Sequence, residues 1–514
     1  MANRTLTAAL AQVRASAIDG RVHNPVYRKT QLGKLHAALV AQGDALQQAM
    51  TEDGLRQNIR PAEVKAEYCL ALQLVAEHYA AVDPAAARHD EYALARSQDA
   101  PNTRVPVGIV VIEAGGDVSS VHTFVYTLMS ALVPALAAGN CIIVQAQQTL
   151  LQTPRLLLQV LGSALDQDIF YATTAASSLS DDAIGHRHVR VVSSLSSTPA
   201  PSNHIVSYAD SRVVAIVERD ADVQAAAEAL VRARFSFGGH APYAPDVVLV
   251  SEWCQKDFLY AVTQCAARFM AAGGAEAGSS DVREKTPPPR AAPKNALKAL
   301  ADRISDDSVA TRIISLGSNG LVVGVEDRSS FLLQQKTRDA CLTVVAVTST
   351  DDAIDLSRSF GPLAAAFVFT KSPPVAKYIG QFVDAEVVLV NQIPSALLFG
   401  LIAPAGSPPS PPWTERYSTQ LFSQSKPQFT SQTKTATSAV LDDILSGVNA
   451  SRQLSELHKK ATVSLVPLAR PLKGTQLGFF EQGIVTGGVL LLSSVVTCTG
   501  FMCYYAVKHA RVYM

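Results

Sequence analysis

VPVGIVVIEA, residues 105–114, and GNCIIVQA, residues 139–146, are short apolar runs, and VYTLMSALVPALAAG, residues 125–139, lies between them. The middle segment is long enough for a crossover helix. Strand, helix, strand in that order is a parallel βαβ unit, because parallel neighbours need a crossover of about a dozen residues or more. Outward from this unit the texture repeats. Apolar runs recur at HVRVVSS (188–194), RVVAIVE (212–218), APDVVLV (244–250), LTVVAVT (342–348), AAFVFT (365–370) and AEVVLVNQ (385–392), with helical segments between them. The alternation predicts α/β architecture with parallel sheets on both sides of position 207. Upstream, LGKLHAALVAQGDALQQAM (32–50) and PAEVKAEYCLALQLVAEHYAAV (61–82) carry apolar residues at 3–4 spacing, so residues 1 to 100 read as helices.

Composition narrows the function. Lys plus Arg equals Asp plus Glu, 44 each, which leaves no net field to hold nucleic acid. No basic stripe with interleaved aromatics is present either, so nucleic acid is not an expected partner. The chain has 514 residues, 48% of them hydrophobic and 17% charged, which predicts two or three globular domains rather than disorder. Its seven cysteines are odd in number, scattered and without a CxxC pair. Neither a disulfide framework nor a metal site is expected; small buried thiols in a reducing compartment are. The N-terminus, MANRTLTAALAQVRASAIDG, lacks the apolar core of a secretory signal and reads as an amphipathic helix. The body of the protein is expected in the cytosol.

The C-terminus differs. IVTGGVLLLSSVVTCTGFMCYYAV, residues 484–507, holds no charge. A helix of that length spans about 36 Å, enough for a hydrocarbon core of roughly 30 Å. Tyr504 and Tyr505 stand where an interfacial aromatic belt belongs, and Lys508, His509 and Arg511 follow. The alternative is a buried core helix, but core helices seldom run this long without a polar face. A tail anchor is expected, on an intracellular membrane such as the endoplasmic reticulum or the mitochondrial outer membrane. Residues 274–296 (rich in Pro, Gly, Ser and charge) read as a surface loop, residues 403–418 as an irregular Pro-rich stretch, and residues 451–483 as a basic linker.

FGGHAPYAPDVVLV, residues 237–250, is a Gly-rich turn running into a buried strand. A rigid strand behind a turn is a common place to hold a reactive side chain. Yet Ala241, Pro242 and Tyr243 supply no strong nucleophile there. VPVGIVVI, PALAAGNCIIVQ (134–145), VERDADVQAAAEALVRARFSFGGHAPYAPDVVLV (217–250), LTVVAVTSTDDAIDL (342–356), GPLAAAFVFTKS (361–372) and VVLVNQ (387–392) together resemble the aldehyde dehydrogenase superfamily. The likeness runs from about residue 32 to 429 and is closest to the membrane-associated fatty aldehyde branch. It implies an NAD(P)-binding α/β domain over 1–207, a catalytic α/β domain over 208–395, a return and oligomerisation segment over 396–450, the linker, and a membrane helix over 484–507. A dimer or tetramer is implied too, and YSTQLFSQSKP (417–427) is similar to the segment that closes the family's oligomer arm.

The resemblance also implies a chemistry: a cysteine thiolate attacks the aldehyde, an asparagine amide and a backbone N–H hold the oxyanion, and a glutamate activates water. In this chain the cysteine slot holds Pro242, which has neither a nucleophile nor a backbone N–H. The glutamate slot holds Tyr208 and the asparagine slot Asp117. At the cofactor slots, the ribose-binding lysine is replaced by Gln145, the Gly-Ser-Thr turn by Ser193, Ser194 and Leu195, and the Glu-Ile-Phe-Gly-Pro motif by residues 336–340, starting with Lys336. The residues retained, Pro106, Gly108, Gly139, Asn140, Ala244, Pro245, Pro362 and Asn391, are turn and packing positions.

His240, set against a surface histidine, and Asp210, as a replacement for the lost base, are the candidates to take over catalysis. Cys254, Cys265 and Cys341 are expected to be packed, and Tyr208 to fill the space of the lost glutamate. Two functional readings follow. The first is a tail-anchored aldehyde dehydrogenase homologue without dehydrogenase activity, a binding or scaffold protein that pairs with itself or with an active relative. The second is an oxidoreductase acting on a hydrophobic aldehyde in a lipid or secondary-metabolite pathway. No cofactor is expected, and NAD or NADP is the ligand if binding survives.

Overall fold

A computed structural model of the chain describes residues 6–96, 104–114, 123–147, 149, 151–173, 179–185, 187–193, 201–275, 294–306, 311–317, 319–425, 435–447, 449–465 and 479–510. After five N-terminal helices come strands β1 (Arg104–Pro106), β2 (Ile109–Ala114), β3 (Cys141–Ala146), β4 (Phe170–Thr173), β5 (His188–Val192) and β6 (His204–Val206). Strands β2 to β6 form an all-parallel sheet in the order β4-β3-β2-β5-β6. Ile109 to Ile112 and Cys141 to Val144 are all buried. Helices cover both faces of such a sheet, so its strands need no polar alternation, and their sequences are unbroken apolar runs.

The crossover predicted between β2 and β3 is helix Phe124–Ala138, which ends on Gly139 at φ 97°. A Cβ there would stand 3.0 Å from the Val22 carbonyl, so the position takes glycine on two counts. Asn140 follows it, fully buried. Its amide donates to the carbonyls of Ala135 and Phe422 at 3.0 and 2.9 Å and accepts from Gly108 N at 2.9 Å. The Gly-Asn pair therefore closes a helix and joins three segments, which is a structural task.

A second sheet contains β7 (Arg212–Val217), β8 (Val247–Ser251), β9 (Thr311–Gly317), β10 (Gly320–Val325), β11 (Cys341–Val347), β12 (Leu363–Phe369) and β13 (Val388–Val390). Its order is β13-β12-β7-β8-β11-β10-β9, parallel except for the β9–β10 pair. The hairpin β9–β10 is absent from the sequence reading, although Asn319-Gly320 is a hairpin signal. Strand β7 shows why both faces are apolar. Val213, Ala215 and Val217 pack with helices Val223–Phe235 and Gln255–Ala275, whereas Val214 and Ile216 join the core under helices Lys294–Asp306, Thr350–Ser359 and Pro373–Phe382. Residues 276–293 of the Pro-rich stretch lie outside the described residues. A short antiparallel ribbon pairs β1 with β14 (Ser423–Ser425).

Both sheets belong to one compact unit, Met1–Gln428, and Phe429–Met514 forms another. The second unit holds helices Ala436–Leu445 and Ala450–Ala461, so the stretch expected as a linker begins with a helix. Helix Phe479–Ala510 includes Gln482–Tyr504, 23 residues long and apolar enough to cross a membrane, with none of that window buried against protein. Cys141, Cys254, Cys265 and Cys341 are buried, but Cys69, Cys498 and Cys503 are exposed, which corrects the expectation for those three. Cys69 falls off the buried stripe of helix Pro61–Ala81, which runs through Val64, Glu67, Tyr68, Ala71, Leu74 and Val75.

Candidate functional site

Strands β7, β8 and β11 are adjacent and parallel, so their N-terminal ends meet on one edge of the larger sheet. Residues 208–211 lead into β7, residues 242–246 into β8 and residues 336–340 into β11. That order brings together the leads that carry Tyr208, Pro242 and Lys336, distant as they are in sequence. Lys336 ties all three leads. Its ammonium donates to the Ser211 carbonyl at 2.5 Å and the Pro242 carbonyl at 2.9 Å, and lies 3.7 Å from Asp246 Oδ2. Burial lowers the lysine's pKa, with Asp246 opposing the shift.

Asp246 and Arg234 complete the cluster, and both side chains are 1% exposed. Asp246 accepts from Val213 N at 2.9 Å and stands 3.4 Å from Arg234 Nη1. The Arg234 guanidinium also donates to the carbonyls of Thr337 at 2.6 Å and Asp339 at 3.1 Å. A buried ion pair holds together when its remaining donors find partners, and these do. Next to it, Phe237, Gly238 and Gly239 have φ values of 53°, 62° and 86°. A Cβ on Gly239 would run into the backbone of Asp339 and Ala340, and one on Gly238 into the Gln57 carbonyl. The Gly-rich turn is thus wedged between two other segments.

The candidate replacement groups sit as follows. His240 is half-buried instead of standing on the surface, and burial lowers its pKa. Asp210 is exposed and bound to Arg338 at 2.7 Å, in the ordinary manner of a surface ion pair. Tyr208 is half-buried and lines an open pocket of about 300 Å³ with Asp210, Arg212, Phe360 and Pro362. Cys341 is buried, and its thiol is pushed up to about 11 by desolvation. The Cys254 thiol is likewise raised by burial. Cys265 accepts a long contact from Gln224 Nε2 at 3.7 Å. A thiol raised in this way is a poor nucleophile at neutral pH.

Beside Pro242, Tyr243 is buried, and its hydroxyl accepts from Ala403 N at 3.0 Å. The Arg416 guanidinium lies 5.6 Å from that ring. Arg416 donates to the carbonyls of Leu401, Trp413, Ala396 and Phe399 at 2.7 to 3.0 Å. Arg416 of the Pro-rich stretch is therefore held by carbonyls between residues 396 and 413 and lies over Tyr243, next to Pro242.

At the C-terminal edge of the smaller sheet, strand order reverses around β2. The crevice between β2 and β5 is where doubly wound sheets take ligands. There Arg190 donates to Glu113 Oε1 at 2.9 Å and to Asp181 Oδ1 at 2.7 Å, and its Nη2 also bonds the Leu179 carbonyl. Arg190, the leading cause, holds the Asp181 carboxyl at about 2. Gln145 at the end of β3 accepts from Leu179 N at 3.2 Å. Ser193 follows β5, and its carbonyl accepts from Ala209 N at 3.3 Å. Asp117, Ser194 and Leu195 lie outside the described residues. No cluster of metal-ligating side chains occurs among the described residues.

Glu67 is a further ionisable group that escaped the sequence reading, as did Arg190, Arg234, Asp246 and Arg416. Glu67 is buried at the start of helix Phe124–Ala138, where its carboxylate accepts from Tyr126 N at 3.1 Å. Desolvation pushes it up to about 8 against the pull of that hydrogen bond and one from Val125 N. Its signal was a charge on an apolar stripe, between Val64, Tyr68 and Ala71.

Two α/β sheets, one all parallel and one parallel but for an edge hairpin, make up the fold. The sequence profile of the aldehyde dehydrogenase family matches residues 3–282, and the chain belongs to that family. Among solved structures, AldH of Staphylococcus aureus in a substrate-bound state is 15% identical and superposes with a TM-score of 0.62, covering 84% of this chain and 96% of that one. An NAD-dependent benzaldehyde dehydrogenase from Corynebacterium glutamicum is 13% identical with a TM-score of 0.58, over 83% of this chain and 88% of that one. Glyceraldehyde-3-phosphate dehydrogenase GapN from Methanocaldococcus jannaschii, complexed with NADP, is 14% identical with a TM-score of 0.58, over 81% and 92%. At such identities the likeness is one of fold. No curated protein sequence matches the chain.

Proposed function

We propose that this family member is a tail-anchored binding or scaffold protein that does not oxidise aldehydes. The observation that carries the reading is the Lys336 ammonium bonded to the Pro242 carbonyl. The slot for a thiolate holds a proline, and its surroundings are tied up by a buried cation, where the family's chemistry needs an exposed nucleophile and a base. Asp210 does not replace the base, since it is solvated and paired with Arg338.

The side chains present do not fit a dinucleotide as the resemblance implies it to be held. Gln145 uses its carbonyl on Leu179 N, and Lys336 is turned into the protein at the slot of a ribose-binding glutamate. The body of the protein is read as cytosolic, carried on an intracellular membrane by helix Phe479–Ala510. Its partner is read as a second copy or an active relative, through the segment that includes β14.

The test is NAD and NADP binding to the full-length protein in detergent, by calorimetry. No heat of binding at millimolar cofactor is expected. Micromolar binding with turnover of a hydrophobic aldehyde would replace this reading with that of an active oxidoreductase.

A further inference from the structure

Helices Ala436–Leu445 and Ala450–Ala461 pack on each other, with Gln453 Nε2 donating to Asp443 Oδ2 at 3.3 Å. Neither contains a buried residue. Two helices of 10 and 12 residues are too short to be stable without an apolar face against something. The hairpin uses Val440, Ile444 and Leu457 only partly and leaves Leu441, Leu445 and Leu454 exposed, Leu445 at 85%. Leu441 and Leu445 are four residues apart and share one helix face. Just beyond, Val463 and Leu465 are exposed as well. Soluble proteins seldom leave such a cluster uncovered.

Three features on this stretch select the cover. The cations gather at the end that leads to the tail helix: the last turn of the second helix holds His458, Lys459 and Lys460, all exposed, whereas Asp442, Asp443 and Glu456 lie nearer the start of the hairpin. Leucines on one side of the second helix and lysines on another are the make-up of a helix lying in a membrane interface, where basic residues are drawn to anionic headgroups. The hairpin also leads, through residues 462–478, to the membrane-length helix Phe479–Ala510. Seventeen residues reach at most about 60 Å when extended, so the hairpin stays close to any bilayer that helix enters. Finally, the exposed stems of Lys459 and Lys460 can lie along apolar surface with their ammonium groups at the headgroups.

We propose that the hairpin of residues 436–461 lies on the surface of the anionic membrane that the tail helix crosses, seating Leu441, Leu445 and Leu454 at the acyl boundary. The proposal rests on the tail-anchor reading given above. Its occupant is a lipid surface; a second copy of the chain is the outcome that would count against it.

The experiment places tryptophan at two positions of the full-length protein, Leu445→Trp and Leu454→Trp, and incorporates each variant into phosphatidylcholine–phosphatidylserine vesicles carrying brominated acyl chains. Wild type, with Trp253 and Trp413, supplies the background. Flotation resistant to alkaline carbonate is scored first. A chain that fails to float overturns both the tail anchor and the hairpin proposal. For a floating chain, the added tryptophan emission is expected to fall about two-fold with bromine near the headgroup, as for a helix seated 5–10 Å deep. Unquenched, red emission at both positions would overturn the proposal and leave the tail anchor standing. Blue-shifted emission without bromine quenching would overturn it too, and would assign the face to protein. Two positions on separate helices guard against one variant that fails to fold.

Discussion

The Lys336 ammonium lies 2.9 Å from the carbonyl oxygen of Pro242, 94 residues away in the chain. The two residues meet because β8 and β11 are adjacent and parallel, so both strand leads open on the same edge of the sheet. Proline at 242 has a carbonyl but no N–H, and Lys336 supplies the donor that this carbonyl and that of Ser211 require. Asp246, tied to Arg234, offsets the cost of burying the ammonium.

Replacing that donor tests how much the cluster holds. Lys336→Met keeps the length of the side chain and leaves the Ser211 and Pro242 carbonyls without it, so a loss of about 1–3 kcal/mol is expected in urea denaturation. A pH signature accompanies it. Burial lowers the lysine's pKa below 10.5, so the unfolded chain binds more protons between the two values and stability rises with pH toward 10.5. The variant should lose that rise relative to wild type. An unchanged profile would show that Lys336 is solvated.

The wedged turn makes a separate claim about Gly239. At φ 86° with a Cβ aimed at the backbone of Asp339 and Ala340, Gly239→Ala meets both strain and a clash with atoms that cannot rotate away. Gly361 has φ 80° with nothing within 4 Å of its Cβ, so Gly361→Ala carries the strain alone. Thermal unfolding should show a cost of about 1–2 kcal/mol for the second and clearly more for the first. Equal costs would mean that residues 337–340 do not press on the turn.

Much of the fold was legible because the strands are covered on both faces. A run such as RVVAIV must be a buried strand of modest length, and its neighbours in sequence supply the helices. The hairpin β9–β10 was missed because TRIISLG mixes polar residues into a partly exposed edge strand. Motif order picks out Pro242, Tyr208 and Lys336 one by one, as the resemblance implies. Their meeting was not legible, since it depends on the non-consecutive order β7-β8-β11. Nor do motifs carry the direction of a long side chain: that Lys336 turns onto two carbonyls and Asp246 is visible only in the fold.

Glu67 supplies a third prediction, set apart from the edge of the larger sheet. Its folded pKa of about 8 exceeds the ordinary carboxyl value of 4.5, and burial is the main cause. Between those values the folded chain binds the extra proton, so the contribution of Glu67 is full below pH 4.5. It declines as pH rises and is lost above about 8. The N–H groups of Val125 and Tyr126 at the helix start favour the carboxylate and keep the decline from running to higher pH. Glu67→Gln retains an acceptor for those N–H groups and removes the titration. The stability of wild type relative to this variant should therefore fall from pH 5 to pH 8, and the variant should be the more stable of the two at pH 8. Guanidinium denaturation at three pH values reads the difference. A gap that is constant with pH, or one that widens in favour of wild type, would mean that Glu67 is ionised throughout and acts as an ordinary helix cap.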